Sequence, residues 1–544
     1  MKGLTLRRIA EVTGGEFHLS FSGREKNDLC IDAESAPRAG KAAPDAFERA
    51  LDTEVSSIVT DSRKAAKGAL FGAIPGERVD GHDFIPAVFA QGAVCALSER
   101  MLTREQVFGA ESAGSAVQED YLHGTAPDVP GGTEGGGQEA DGNAPEEARA
   151  WIRVENTEAA LGAIAEEYLK ILGTPVVGIT GSVGKTSTKE MIASVLSVKL
   201  RTKKTEGNLN NQLGLPLTVF RLEPEDEVAV LEMGVSHFGD MTVLARIARP
   251  SRMVITNIGT CHLEFLRDRE GVFRAKTEVF DYLKEGAGII LNGNDDLLRG
   301  VSRVNGVRPV FFGVDSRLNG VSDLSAGPVT AYPSDLPESQ CVTVSSIRPL
   351  GFEGSECVIR TPAGEMRVKV PVPGIHNCSN AAAAAAVGLS FGMSLEEIRE
   401  GIESARTLPG RFRIRKTGKR TVIDDCYNAN PVSMRSSLLV LSGVRGRRCA
   451  ILGDMGELGE TQEELHASTG AFAASCVDHL ITIGPLSRAM YEAAGKKRPG
   501  LSASWYETPE DFLAHADDEI GPEDTVLVKA SHYMHFEKIV EALT

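Results

Sequence analysis

Short apolar runs recur along the chain, separated by longer stretches with helical spacing. PVVGIT, VAVLEMG, MVITNIG and AGIILNG fall between residues 175 and 293. After the first of them comes STKEMIASVLSVK, where Ile192, Val195 and Leu196 repeat at the period of a helix face. Strand-like runs alternating with helices predict a mostly parallel sheet covered on both faces. RTVIDD, RCAILGDM, HLITIG and TVLVKAS repeat that rhythm from residue 420 onward, as in a Rossmann-like sheet. Nearer the N-terminus, SSIVT and ALFGAI read as strands set off by Gly and Asp turns. The expected fold class is therefore α/β in three domains: an N-terminal α/β domain over 1–170, a central domain with a mostly parallel sheet over 171–410, and a Rossmann-like domain over 411–544.

Two stretches break the pattern. Residues 24–52 carry little periodicity, and 104–150 include PGGTEGGGQEADGNAPEE, with almost no large apolar side chain. Neither composition buries enough surface to offset the entropy of ordering it, so both are expected to be disordered insertions.

Composition narrows the function classes. A net charge of −17, from 58 basic and 75 acidic residues, disfavours a nucleic-acid partner, which usually demands a basic face. An acidic whole still leaves room for a small basic pocket, so phosphorylated small molecules stay open. The nine cysteines are scattered and form no C-x-x-C, which points to neither a disulfide framework nor a zinc site and suits a reducing cytoplasm. MKGLTLRRIAEVTGG reads as an amphipathic helix without the apolar block of a signal peptide, and AAAAAAVGLSFG at 381–392 is too short and Ala-rich to span a bilayer. No membrane partner is expected.

The chemistry gathers at GITGSVGKTSTKEMI, residues 178–192. A strand turning through glycines into a helix N-terminus leaves backbone N–H groups free to bind phosphate. The usual phosphate-loop spacing is missing, because Ile179 stands where the first Gly belongs and the glycines are Gly181 and Gly184. In such a loop Lys185 reaches the β- and γ-phosphates of a nucleotide and the Thr186 hydroxyl ligates Mg²⁺. Glu232, ending VAVLEMG, and His262, just past MVITNIG, follow strands of the same predicted sheet and are candidates to face that metal. Imidazole is the less usual Mg²⁺ ligand of the two.

TGSVGKTSTKEM, EGNLNNQLGLPLT, EMGVSHFGDM, TCHLEF, FRAKTEVF, PGIHNCSNAAAAAA, PGRF, VIDDCYNANPVSM, LGDMGELG and VKASHYMHFEKIVEAL occur in that order. Together they resemble the Mur ligases of peptidoglycan synthesis, and the resemblance covers nearly the whole chain apart from the two insertions. A short GxxGKT loop is the form that family uses. By resemblance, Gly181, Ser182, Val183, Gly184, Lys185, Thr186 and Ser187 hold the phosphates of ATP, and Thr186, Glu232 and His262 hold Mg²⁺. Lys276 matches a lysine that the family carries as a carbamate. A cationic ammonium repels Mg²⁺, whereas its CO₂ adduct is an anion with two hard oxygens. Asn377, with Asn380 nearby, resembles the adenine contact, Asp425 the ribose contact with Tyr427 beside it, and Arg411 a group approaching the phosphates. Asp61, Ser62 and Arg63 lie where such proteins hold a UDP-sugar. Asn210 and Asn211 lie in a loop reaching toward nucleotide and substrate. Lys529 and Ser531 belong to a last motif that often reads KGSR but here reads KASH.

The implied activity is ATP-dependent amide bond formation through an acyl phosphate, with UDP-MurNAc-tripeptide and D-alanyl-D-alanine as small-molecule substrates. The catalytic set is Lys185, Glu232, His262, Lys276 and Arg411, and the working unit is expected to be a monomer in the cytoplasm. Two alternatives stand beside it. One is another ligase of the same type, adding the third peptide residue or acting like folylpolyglutamate synthetase, although the DNPR motif of diaminopimelate-adding ligases is missing. The other is a nucleotide-dependent switch that hydrolyses ATP without ligation.

Overall fold

The computed structural model describes residues 1–21, 30–31, 43–109, 148–315, 336–418 and 420–544. The chain divides into two compact units, Met1–Ile171 and Leu172–Thr544.

The first unit is built on β1 (Glu16–Phe21), β2 (Cys30–Ile31), β3 (Ser57–Val59), β4 (Ala69–Gly72), β5 (Cys95–Ser98) and β6 (Ala148–Arg153). Their order is β2-β1-β6-β5-β4-β3. β3 to β6 run parallel, and β1 pairs antiparallel with both β6 and β2. The stretches expected to be disordered, 24–52 and 104–150, need correction in part. Ala43–Leu51 forms a helix, α1, that buries Phe47 and Leu51. These two apolar residues stand four apart, the spacing of one helix face. Arg104–Phe108 is a second helix, α2, started by a capping box between Thr103 and Gln106 and anchored by buried Val107. Residues 148–150 already belong to β6. Residues 24–29, 32–42 and 110–147 lie outside the described residues.

The second unit holds two sheets. The larger contains β7 (Val176–Thr180), β8 (Thr202–Lys204), β9 (Val228–Glu232), β10 (Arg252–Ile255), β11 (Gly288–Asn292), β12 (Val310–Val314), β13 (Cys341–Pro349), β14 (Ser355–Thr361) and β15 (Gly364–Val370). In the order β15-β14-β13-β12-β11-β10-β7-β9-β8 it is parallel from β8 to β13, then turns antiparallel through β14 and β15. The smaller contains β16 (Arg413–Lys416), β17 (Thr421–Asp424), β18 (Arg448–Gly453), β19 (His479–Ile483), β20 (Ser502–Tyr506) and β21 (Thr525–Lys529). Its order is β16-β17-β21-β18-β19-β20, all parallel except β16.

Each predicted run between 175 and 293 is a strand of the larger sheet, and β7 and β9 are buried at every position. The helices of this unit include α3 (Lys185–Leu196), α4 (Arg269–Thr277), α5 (Ile375–Ser390) and α6 (Leu395–Glu403). The run Ala381–Ala386 of α5 is buried throughout, and its small side chains bring that helix onto α3, β12 and β13. α6 completes the layer. A Cβ on Gly401 would lie 2.3 Å from the Val195 Cα, so α6 and α3 meet backbone to backbone. The helix that begins at the phosphate loop is thus wedged between two others.

That wedge can be tested. Ala is the better helix former than Gly by about 1 kcal/mol, so a neutral packing site would make Gly401→Ala stabilising. Because Val195 cannot yield without moving α3, the substitution is expected to destabilise the second unit by about 1–3 kcal/mol, the usual range for overpacking. Urea denaturation followed by far-UV circular dichroism measures the change, and a gain in stability would mean that the helices have room to part.

Candidate active site

The phosphate loop follows β7, and its backbone is tightly specified. Gly181 has φ 147°, and a Cβ there would stand 1.9 Å from Thr256 Oγ1. Gly184, at φ 83°, is the N-cap of α3 and offers no side-chain cap. The first N–H groups of α3 therefore keep no protein side chain as partner at the cap, the arrangement that binds an anion at a helix start. The turn after β10 holds the loop from the other side. Val183 N donates to Asn257 Oδ1 at 3.0 Å, while Asn257 Nδ2 at 2.9 Å and Thr256 Oγ1 at 2.6 Å both donate to Val183 O. Ser182 N donates to Asn257 O at 3.0 Å. Thr256 and Asn257 escaped the sequence reading, although their position as the first polar residues beyond MVI was a usable signal. Lys185 curls back so that Nζ donates to Gly181 O at 2.9 Å.

Glu232 ends β9 only 2% exposed. Its Oε1 accepts from Asn210 Nδ2 at 2.9 Å and from Thr186 Oγ1 at 3.3 Å, whereas Oε2 is buried without a hydrogen-bond partner. Asn211 is engaged elsewhere, accepting from Gly214 N at 2.7 Å at the start of the next helix. His262 sits in the left-handed region, φ 53°, just before the short helix Leu263–Leu266. Its Nδ1 lies 2.5 Å from Glu457 Oε2, a charge contact off the line of a hydrogen bond. That contact holds the Glu457 carboxyl below the usual carboxylate range. Lys276, on α4, is fully buried and its Nζ has no hydrogen-bond partner. Burial, reinforced by the charge of Lys185, lowers its ammonium pKa to about 8.

Two further walls complete a cleft of about 780 Å³. Thr188 Oγ1 of α3 donates to Asn380 Oδ1 of α5 and Asn380 Nδ2 to Asn377 Oδ1, each at 3.0 Å, and Asn377 Nδ2 donates to Pro373 O at 2.7 Å. Asn377 Nδ2 also lies 3.0 Å from His376 Nε2. His376 lines the cleft too. It was overlooked inside the IHN motif in favour of the neighbouring Asn.

The opposite wall comes from the smaller sheet and from helix α7 (Pro431–Ser442). Asp425 accepts from Lys529 Nζ at 2.7 Å, Ser437 Oγ at 2.6 Å and Phe412 N at 3.1 Å. Lys529 Nζ also donates to Asn428 O at 3.0 Å, so this ammonium is held inside the wall. The Arg411 guanidinium lies over the Tyr427 ring, 4.0 Å from its centroid, and the other side of that ring column is His532, stacked at 5.4 Å.

Lys185, Thr186, Glu232, His262, Arg411 and Asp425 all line this one cleft, with Ser182 to Ser187, Asn210, Asn211, Asn377, Asn380, Tyr427 and Lys529. Gly181, Lys276 and Ser531 do not line it, and Ser531 Oγ accepts from Gly456 N at 3.0 Å. Asp61, Ser62 and Arg63 belong to the first unit. There Arg63 grips Asp61 through two bonds of 2.9 Å and draws its carboxyl down to about 2.

The chain is similar to known proteins over most of its length. Residues 54–131 match the Mur ligase family catalytic domain, 179–388 the Mur ligase middle domain, and 410–532 the Mur ligase glutamate ligase domain. The UDP-N-acetylmuramoyl-tripeptide–D-alanyl-D-alanine ligase of Bacillus subtilis is 33% identical over 90% of this chain and 93% of its own length. MurF from Acinetobacter baumannii superposes with a TM-score of 0.75 at 27% identity, covering 99% of this chain and 98% of that one. MurF ligase from Thermotoga maritima in complex with ADP does so with a TM-score of 0.69 at 26% identity, covering 90% and 97%. With the phosphate loop, the acid of β9 and the histidine after β10 set around one cleft, and with relatives matched from end to end, this chain belongs to the Mur ligase family.

Proposed function

We infer that this protein is an ATP-dependent ligase that joins D-alanyl-D-alanine to the free carboxylate of UDP-MurNAc-tripeptide, in the synthesis of peptidoglycan precursors. The observation that carries the reading is the single cleft in which Lys185, Glu232 and Arg411 converge. The γ-phosphoryl group of ATP passes to a carboxylate oxygen of the tripeptide, and ADP departs. The dipeptide amine then attacks the acyl carbon and loses a proton, and inorganic phosphate leaves from the tetrahedral intermediate. The protein contributes position and charge: Lys185 and Arg411 offset the negative charge on the transferring group from preorganised places.

Mg²⁺ fits the residues present. Glu232 Oε2 is buried without a hydrogen-bond partner while Oε1 accepts from the Thr186 hydroxyl, and carboxylate and hydroxyl are the hard donors this ion prefers. His262 is the third candidate ligand. When bound, the ion supplies further neutralisation of phosphate charge. Asp425, fixed by Lys529 and Ser437, is assigned the ribose hydroxyl. Asn377 has its amide engaged with Pro373 and His376, so an adenine contact there exchanges one of those bonds. Asp61, Ser62 and Arg63 are assigned to the UDP-sugar. Lys529, held inside the wall, is reassigned from peptide contact to support of Asp425.

Lys276 is assigned the carbamate. A fully buried ammonium without a hydrogen-bond partner is costly, and conversion to an anion within reach of the Lys185 charge removes that cost. The reaction is placed in the cytoplasm, where ATP is supplied. Cys95, Cys261, Cys357, Cys378, Cys426, Cys449 and Cys476 are free thiols, which suits a reducing compartment. Among the described residues no helix is long and apolar enough to cross a membrane. One chain supplies the whole cleft, so a monomer suffices.

Phosphate release from ATP tests the ligation directly. It is expected to need UDP-MurNAc-tripeptide and D-alanyl-D-alanine together, and equal release without the dipeptide would point to a hydrolytic switch instead. Lys185→Ala is expected to lower turnover by roughly a hundredfold or more, the scale of losing one preorganised charge partner; unchanged turnover would remove the loop from the chemistry. Protein equilibrated with ¹³C-bicarbonate is expected to show one carbamate resonance that Lys276→Ala abolishes, and a spectrum without it would leave Lys276 as a plain amine.

A further inference from the structure

One buried cation beside the cleft takes no part in the ligation chemistry. Lys189 lies one turn beyond Lys185 on α3 and is fully buried. Its Nζ donates to Thr205 O at 2.7 Å and stands 3.1 Å from Glu190 Oε1 and 3.8 Å from Glu232 Oε2. The same Thr205 accepts the backbone N–H of Glu232 at 2.9 Å, so lysine, threonine and glutamate are linked on one side of β9. Glu190 is shared: its other oxygen contacts Lys204. Lys189 is therefore the charge that faces the otherwise unpartnered Glu232 Oε2.

Glu232 thus has a cationic neighbour before any nucleotide arrives. In the contact cluster Lys189 and Lys204 balance Glu190 and Glu232, and Lys185 lines the same cleft as Glu232. Among the described residues no three His, Cys, Asp or Glu side chains gather as a self-sufficient metal site. A divalent cation approaching alone meets a carboxylate already answered by an ammonium. The phosphates of ATP reverse that balance.

We propose that Lys189 is a positioning residue that acts as the resident counter-ion of Glu232, keeping divalent metal off this carboxylate until a nucleotide polyphosphate is in place, so that metal enters with the nucleotide. This rests on Glu232 being a metal ligand. Removing the charge of Lys189 frees Glu232 for metal. Removing the charge of Glu190 concentrates Lys189 on Glu232 and has the opposite effect.

The test is Mn²⁺ binding to the intact, nucleotide-free protein, read by the loss of the free-ion signal in electron paramagnetic resonance, at one fixed bicarbonate concentration. Lys189→Gln keeps a donor for Thr205 O while removing the charge, and it is expected to tighten Mn²⁺ binding about tenfold or more over wild type. Glu190→Gln, at the edge of the cluster, is expected to weaken it. Thermal melts of the three proteins run alongside. A purely structural role would move the melts without opposite shifts in Mn²⁺ affinity, and equal affinity in wild type and Lys189→Gln would overturn the proposal. If Lys189→Gln does not fold, Glu190→Gln decides alone: weakened binding supports the counter-ion, and unchanged or tighter binding overturns it. Glu232→Gln separates this from its premise. If that variant binds Mn²⁺ in the presence of ADP as wild type does, Glu232 is no ligand and the premise itself fails.

Discussion

The phosphate loop is held by the turn after β10, and the rest of the site takes its coordinates from that link. Thr256 and Asn257 bind the loop through Val183 and Ser182, and Gly181 passes so close to Thr256 that no side chain fits between them. Because β7 and β10 are neighbours in the parallel sheet, the link fixes the start of α3 relative to the strand that leads to His262. β9 lies on the other side of β7 and delivers Glu232 to the same edge. Three adjacent strands thus carry the lysine, the acid and the histidine to one end of the sheet, where ligands of open α/β sheets bind.

The packing beneath the loop serves the same end. α3 is clasped between α5 and α6, with alanines and Gly401 removing the space for it to shift. A loop that binds phosphate through backbone N–H groups has no side chains to readjust, so the rigidity must come from the helix behind it. The charged cluster around Lys189 adds a charge constraint to the steric one, since α3 also carries the ammonium that faces Glu232.

How much of this was legible in the sequence depends on what each residue does. The parallel strands could be read because apolar runs between helices have few other uses, and Lys185, Glu232 and His262 could be placed because each ends or follows such a run. The antiparallel β13–β15 segment left less trace, as its strands alternate buried and exposed positions and carry many charges. α1 and α2 hid in polar surroundings, where one or two apolar residues per turn are enough to dock a short helix. Thr256, Asn257 and His376 were missed for a different reason: their work is done across the fold on the backbone or side chain of a neighbour, and no local period records it. The bond from Lys529 to Asp425 was hidden too, because the two are more than a hundred residues apart.

Asp425 sits where several threads are knotted. The backbone of Phe412, the hydroxyl of Ser437 and the ammonium of Lys529 all end on this one carboxylate, which also faces the nucleotide cleft. Architecture and the proposed ligand recognition share a single pair of oxygens. Inactivity after replacing this residue would therefore say little about sugar contacts, because the wall bearing them would have loosened at the same stroke.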